Sequence, residues 1–210
     1  GNSTDQTLSA YDTKTARISY LGRLNYNFAN RYLAEFNIRR DASENFAPSH
    51  RWGTFMSGSL GWVISEEKFF DFLKIRASYG TLGNDNTGSV AYPYYSRYEL
   101  YSGGTASNYL PNNRGDYAFG SNVTKGLVPG AVANELATWE RATKFNIALD
   151  IDLWNSLSFS IDYFTENRSH ILLQRYDEVP GSFGATLPLE NLGKVKNKGV
   201  DMSLTYHKRM

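Results

Sequence analysis

The chain has 210 residues, with 22 Lys plus Arg against 21 Asp plus Glu, and no cysteine. So even a charge balance argues against a nucleic-acid surface, which needs a basic excess, and the absence of thiols excludes disulfides and thiolate metal sites. No stretch approaches the roughly 18 unbroken apolar residues of a membrane helix, whereas 15 tyrosines, 18 glycines and an aromatic share of 15% lean toward β-structure.

Seven stretches alternate apolar and polar residues with the two-residue period of a strand. Over 16–28, Ile18, Tyr20, Leu24, Tyr26 and Phe28 oppose Arg17, Ser19, Arg23, Asn25 and Asn27. Over 32–41, Tyr32, Ala34, Phe36 and Ile38 oppose Glu35, Asn37 and Arg39. Over 52–64, Trp52, Met56, Leu60, Trp62 and Ile64 oppose Ser57, Ser59 and glycines, and over 73–80 Leu73, Ile75, Ala77 and Tyr79 oppose Lys74, Arg76 and Ser78. The longest rhythm opens near Thr138, runs through Phe145, Ile147, Leu149, Ile151 and Leu153, and returns through Leu157, Phe159, Ile161 and Tyr163. Its polar side carries Lys144, Asp150, Asp152 and Asp162. The last stretch is 199–207, with Val200, Met202, Leu204 and Tyr206 opposing Asp201, Ser203 and Thr205.

The connections alternate in length. Those at 29–31, 65–72 and 154–156 are tight or nearly so, while 42–51 is medium and 84–137 and 174–198 are long. An up-and-down meander then carries its tight turns at one end and its large loops at the other. A soluble extracellular β-sandwich, binding glycans through a tyrosine-rich loop, also alternates in this way. Three features favour a membrane barrel. Several stretches reach the roughly 9–11 residues of a membrane-crossing strand. The long loops lie on one side. Aromatic residues (Tyr26, Phe28, Tyr32, Trp62, Phe69, Phe70, Phe72 and Trp154) gather at the tight-turn ends, as in an interfacial girdle. The predicted fold is therefore all-β, an antiparallel up-and-down meander forming part of a large transmembrane β-barrel. Seven strands fall short of the smallest even-numbered closed barrel, so the chain reads as a segment of barrel wall, residues 1–210, with no plug domain.

Several segments in order carry a resemblance. They are SYLGRLNYNFANRYLAEFNIRRDAS (19–43), RWGTFMSGSLGWVISEEKFF with LKIRASYGTLGN (51–84), TWER (138–141), NSLSFSIDYF (155–164) with ILL (171–173), and NLGKVKNKGVDMSL (191–204). Together they resemble the C-terminal barrel half of the SusC/RagA family of TonB-dependent outer-membrane transporters of Bacteroidetes. The resemblance implies a location in the cell outer membrane and import of oligosaccharide or peptide. It also implies partnership with a SusD-like surface lipoprotein, with TonB through a plug outside this segment, and with membrane lipid.

Candidate site residues fall into two groups. The loop 84–137 holds Tyr92, Tyr94, Tyr95, Tyr98, Tyr101, Tyr109 and Tyr117, with Asn112 and Arg114 among its polar residues. Tyrosine offers a flat apolar face and a hydroxyl tip at small entropic cost, so these rings suit a sugar, a peptide or a partner protein, or packing among themselves. The second group is the mixed-sign polar face of the strands: Arg23, Glu35, Arg39, Arg76, Asp150, Asp152 and Asp162. In a barrel this face borders the lumen, and Arg39 is expected to pair with a carboxylate on a neighbouring strand. Asp150 and Asp152 share a face as an acid/base pair would, but a hydrated lining accounts for them. His50, His170 and His207 are scattered, and NDNTG at 84–88 lacks the acidic residue of a calcium loop. Nothing here suggests an enzyme, a metal or a cofactor.

Overall fold

A computed structural model describes residues 15–65, 71–88, 90–100, 116–119, 122–125, 127–154, 156–175 and 187–207. Seven strands form one sheet: β1 (Arg17–Phe28), β2 (Tyr32–Ser43), β3 (Trp52–Val63), β4 (Phe72–Asn84), β9 (Glu140–Leu153), β10 (Leu157–Gln174) and β11 (Leu189–Tyr206). Their spatial order is β1-β2-β3-β4-β9-β10-β11, and every neighbouring pair is antiparallel. Four short strands lie in the long β4–β9 connection. Of these, β5 (Tyr98–Leu100) pairs with β8 (Leu127–Pro129), and β6 (Asp116–Phe119) with β7 (Asn122–Lys125).

The register carries the sequence rhythm across the sheet. Tyr26, Ala34, Leu60, Ala77, Ile147, Tyr163 and Val200 stand in one row, each opposite the next. Because side chains alternate between faces, one apolar face runs unbroken from β1 to β11. It is open rather than packed: Leu60 is 67% exposed, Ile147 44% and Met202 69%. Among the described residues no second sheet covers it.

Aromatic rings edge this face at both ends. Tyr26, Phe28, Tyr32 and Trp62 stack in series at 6.4–6.5 Å beside the tight turns. At the opposite end Tyr20 stacks on Trp52 at 6.0 Å, with the Arg40 guanidinium 5.0 Å from the Trp52 ring centre. Trp52 and Trp62 bound β3 ten residues apart, which is about 33 Å of strand. At the roughly 40° tilt of barrel strands this gives a height of about 25 Å, that of the apolar band of an outer-membrane barrel. Trp154 joins the tight-turn end, Phe72 lies on the polar face opposite Asp152, and Phe69 and Phe70 fall outside the described residues.

The tight turns use left-handed backbone. Arg31 N–H donates to the Phe28 carbonyl at 3.0 Å across Ala29 (φ 53°) and Asn30 (φ 55°), the mirror-image turn that matches strand twist. Asn27 Oδ1 accepts from the Asn30 N–H at 3.1 Å and steadies it. Trp154 (φ 52°) plays the left-handed role between β9 and β10.

β10 and β11 are longer than their rhythm indicates, at 18 residues each. β11 begins at Leu189, so residues 189–198 are strand rather than the connection expected there. This outer part of the hairpin is irregular, with register shifts between Arg168 and Ile171 and between Ile171 and Leu172. His170 has φ 59° at the first. Gly193 faces Ile171 there; a Cβ on it would come within 2.8 Å of the Ile171 Cβ, so only glycine fits.

A small hydrophobic cluster closes the long-loop end. Phe46 is 0% exposed and packs with Phe55, Ala137 and Trp139, and Leu172 adjoins them. Trp139 meets the Phe46 and Phe55 rings at 5.5 Å each. Backbone pairing between β3 and β4 ends at Ser57–Gly80. Beyond that point the Phe55 ring lies against Gly83, where a Cβ would stand 1.9 Å from it.

Candidate functional site

The polar face is built from the residues that alternate with the apolar rows. Its best-connected part centres on Arg76 of β4. Arg76, Ala148 and Asp162 stand in one row on three successive strands. Ala148 is small and buried, so the guanidinium passes over it. Nε donates to Asp150 at 3.1 Å and Nη2 to Asp162 at 2.7 Å. The Ser160 hydroxyl donates to Asp150 at 2.8 Å, and Asn146 Nδ2 donates to Asp162 at 3.2 Å. A second chain of charges lies further toward the loops: Lys144 pairs with Glu166 at 3.3 Å, and Arg168 bridges Glu166 and Glu140.

On β1 and β2, Arg23 Nε donates to Asn37 at 2.7 Å, and Asn37 Nδ2 donates to Glu35 at 2.6 Å. Arg39 pairs with Asp41 two residues along its own strand, at 2.7 Å, and not with a carboxylate on a neighbouring strand as expected. Residues i and i+2 share a strand face, so the buried Asp41 carboxylate lies within reach, and across the strand Arg39 Nη2 donates to the Ser19 hydroxyl at 3.5 Å. Asp152 lies on the same polar face, at the tight-turn end. Two open recesses occupy this face. One, about 520 Å³, is bordered by Asn25, Glu35, Ser59, Arg76 and Asn146; the other, about 780 Å³, by Arg17, Arg23, Arg39, Asp85, Phe55 and Trp139.

The segment after β4 folds back across β3 and β2 to reach β1. Arg17 of β1 forms a two-bonded ion pair with Asp85, with Nε–Oδ2 at 3.2 Å, and Asn45 Nδ2 donates to the Asp85 carbonyl at 3.0 Å. Burial alone would raise the Asp85 carboxyl; hydrogen bonds from Arg17 and Ser43, with the Arg17 charge, outweigh it and hold the group below its ordinary value. Further along, the Tyr92 hydroxyl donates to Glu44 at 2.9 Å, and Glu44 also accepts from the Ala16 N–H at 2.7 Å. The bond to Glu44, with desolvation second, raises the Tyr92 hydroxyl above its ordinary value.

Of the loop tyrosines, Tyr92, Tyr94 and Tyr95 pack together, with ring centres 4.3–6.4 Å apart. Tyr98 lies in β5 and is exposed. Tyr117 belongs to β6, and Tyr101, Tyr109, Asn112 and Arg114 lie outside the described residues. One heavily bonded side chain at this end was not singled out by the sequence. Asn191 accepts from the Thr138 N–H at 2.9 Å and donates to the carbonyls of Thr138 at 2.8 Å and His170 at 2.6 Å. It ties the approach to β9, the β10 bulge and β11 together. Its only signal was its place in the NLGK segment.

A single antiparallel sheet, apolar on one face, ion-paired on the other and looped at one end, defines the wall of a barrel rather than a sandwich. Residues 1–207 match the family model described as TonB dependent receptor-like, beta-barrel. The chain belongs to that family, within its SusC/RagA group, which consists of receptors rather than enzymes. It is 33% identical over 203 residues to the TonB-dependent receptor SusC of Bacteroides thetaiotaomicron, covering 93% of this chain and 19% of SusC. It is 31% identical to the TonB-dependent receptor P3 of Formosa agariphila, covering 93% of this chain and 18% of that one. Among solved structures it resembles the RagAB peptide importer in its closed-closed state, with a TM-score of 0.74 and 25% identity, over 93% of this chain and 20% of that one. The chain thus spans about a fifth of the length of the relatives it matches.

Proposed function

We propose that these residues form part of the wall and outer loops of an outer-membrane importer, energised through TonB, that takes up oligosaccharides or peptides. The observation that carries this reading is the unbroken apolar face, bounded by aromatic rows about 25 Å apart in height. Lipid covers that face. Arg23, Glu35, Arg39, Arg76, Asp150, Asp152 and Asp162 line the lumen, where the two recesses receive the plug or the passing substrate. Peptide is the substrate class of the RagAB importer that this chain resembles; oligosaccharide, and a SusD-like surface lipoprotein as the partner of the outer loops, follow from the resemblance to the SusC/RagA family. Tyr92, Tyr94, Tyr95 and Tyr98, with Tyr101, Tyr109, Asn112, Arg114 and Tyr117, supply the contact surface for substrate or lipoprotein there.

Spin labels placed in the whole receptor test the orientation. Labels at Leu60 and Ile147 are expected to be relaxed strongly by oxygen, which concentrates in lipid. Labels at Ser59 and Asn146 are expected to respond instead to a water-soluble nickel chelate. The reverse pattern would overturn the reading.

A further inference from the structure

Most cations of the polar face are spent on its own carboxylates. Arg17, Arg39, Arg76, Lys144 and Arg168 each form an ion pair. Arg23 differs. Among the described residues it pairs with no carboxylate, and its guanidinium is held through Nε alone, by Asn37 Oδ1 at 2.7 Å. Arg23 and Asn37 stand directly opposite each other on β1 and β2. Asn37 is fixed in turn by Glu35, which accepts from its Nδ2 at 2.6 Å. An amide whose NH2 is committed to a carboxylate turns its oxygen the other way, here toward Arg23. Glu35 thus orients the arginine through Asn37 without pairing with it. The Nη1–Nη2 edge is left open, and that edge matches a carboxylate with two parallel bonds.

This edge borders the larger recess, of about 780 Å³. The floor beside it is low, because Asn37 stands opposite Ser57, and Ser57 opposite Gly80. The two acids of the recess, Asp41 and Asp85, are taken by Arg39 and Arg17, so Arg23 is the cation left over. About 7 Å toward the loops along β1, Leu21 stands on the same face, opposite Arg39. Alternation calls for a polar residue there, yet this leucine is 79% exposed, and Leu82, also exposed, borders the same recess. An open guanidinium and hydrocarbon therefore lie side by side.

We propose that Arg23 binds a carboxylate of the imported molecule, with Leu21 taking the apolar group next to it. The inference rests on the reading of the polar face as lumen. The recess extends to Asn84 and Asp85 at the long-loop end, so a molecule arriving through the outer loops has access to it. Charge complementarity selects the ligand: a carboxylate fills both prongs of the fork, whereas a neutral group leaves the positive charge unmatched. A peptide carries such a group at its C-terminus, and an oligosaccharide carries one on a uronic acid.

The test measures binding to the full receptor in detergent by isothermal titration. One pair of probes is acetyl-Gly-Gly-Leu as the free acid and as its C-terminal amide; the other is trigalacturonate and its methyl ester. The acid is expected to bind at least about tenfold more tightly than its neutral form, the strength of a hydrogen bond to a charged group, and the pair that shows this identifies the source. Arg23→Gln should abolish the preference, and Asn37→Asp should do the same by pairing with Arg23 in place of the ligand. Arg23→Lys should keep part of it, since the charge stays and the fork goes. Leu21→Ser should weaken acid and neutral probes alike and leave their ratio standing. No preference for either acid, or the same preference in wild type and Arg23→Gln, would overturn the proposal. So would faster proteolysis of the plug in Arg23→Gln with probe binding unaltered, which would assign Arg23 to the plug. Ser57→Cys, in a receptor otherwise free of cysteine, separates this idea from the one beneath it. Labelling by a water-soluble maleimide, blocked by the preferred acid, is expected. Labelling that the acid does not block refutes the site alone, and no labelling refutes the watery lumen.

Discussion

Replacing Asn191 with alanine removes three hydrogen bonds at once and leaves the Thr138 N–H and the carbonyls of Thr138 and His170 without their partner. Thr138 is half-buried and His170 exposed, so water re-solvates the second carbonyl more readily than the first pair. Counting about 1 kcal/mol for each bond, and somewhat more for the half-buried amide, the expected cost is about 2–4 kcal/mol. The loss is local, because the ladder of β9, β10 and β11 closer to the tight turns does not depend on Asn191. Amide exchange in the whole receptor should therefore accelerate by two to three orders of magnitude at 137–140, 169–172 and 190–193. Exchange at 146–150 and 159–163 should stay unchanged. Asn191→Asp should be no better, since it keeps the acceptor but sets a carboxylate against two carbonyls. Unaltered exchange at all these segments in Asn191→Ala would refute the assignment of Asn191 as the tie between the three strands.

Phe46→Ala should cost about 3–5 kcal/mol at the loop end by emptying a fully buried site; Phe46→Leu should cost less than half of that, and protease sensitivity of 44–51 reports both. Ala29→Gly relieves a left-handed alanine (φ 53°) and should stabilise the β1–β2 hairpin by about 0.5–1 kcal/mol, read as slower exchange of the Arg31 amide. Asp85 is depressed in the folded state. Its contribution is therefore complete above the ordinary carboxylate value of about 4 and is lost as pH falls through the folded value. Exchange in 85–95 should accelerate in acid for the wild type, while Asp85→Asn should be accelerated already at pH 7 and flat below it.

The fold was legible wherever one side of a strand touches hydrocarbon. From Ile18 to Phe28, or Phe145 to Leu153, alternation alone placed strand, face and tight turn. It failed in the outer halves of β10 and β11. There TENRSH and KVKNK carry polar residues on both faces, and the His170 bulge breaks the phase. The polar face was legible as a set, and its pairings were not. Arg76 reaches Asp162 because Arg76, Ala148 and Asp162 stand in register across β4, β9 and β10, and the register between strands joined by more than fifty residues is not encoded by local pattern. The Phe46, Phe55 and Trp139 cluster likewise draws on segments far apart in the chain, and Trp139 had no period to mark it.

The passage of Arg76 over Ala148 constrains how such a wall diverges. A larger residue at 148 would stand between the guanidinium and Asp162. Among kindred sequences these three sites should drift as a linked triplet. Bulk in the middle should appear only where the opposite charges on its flanks have been surrendered, and a kindred wall that kept all three at once would need a different route for its cation.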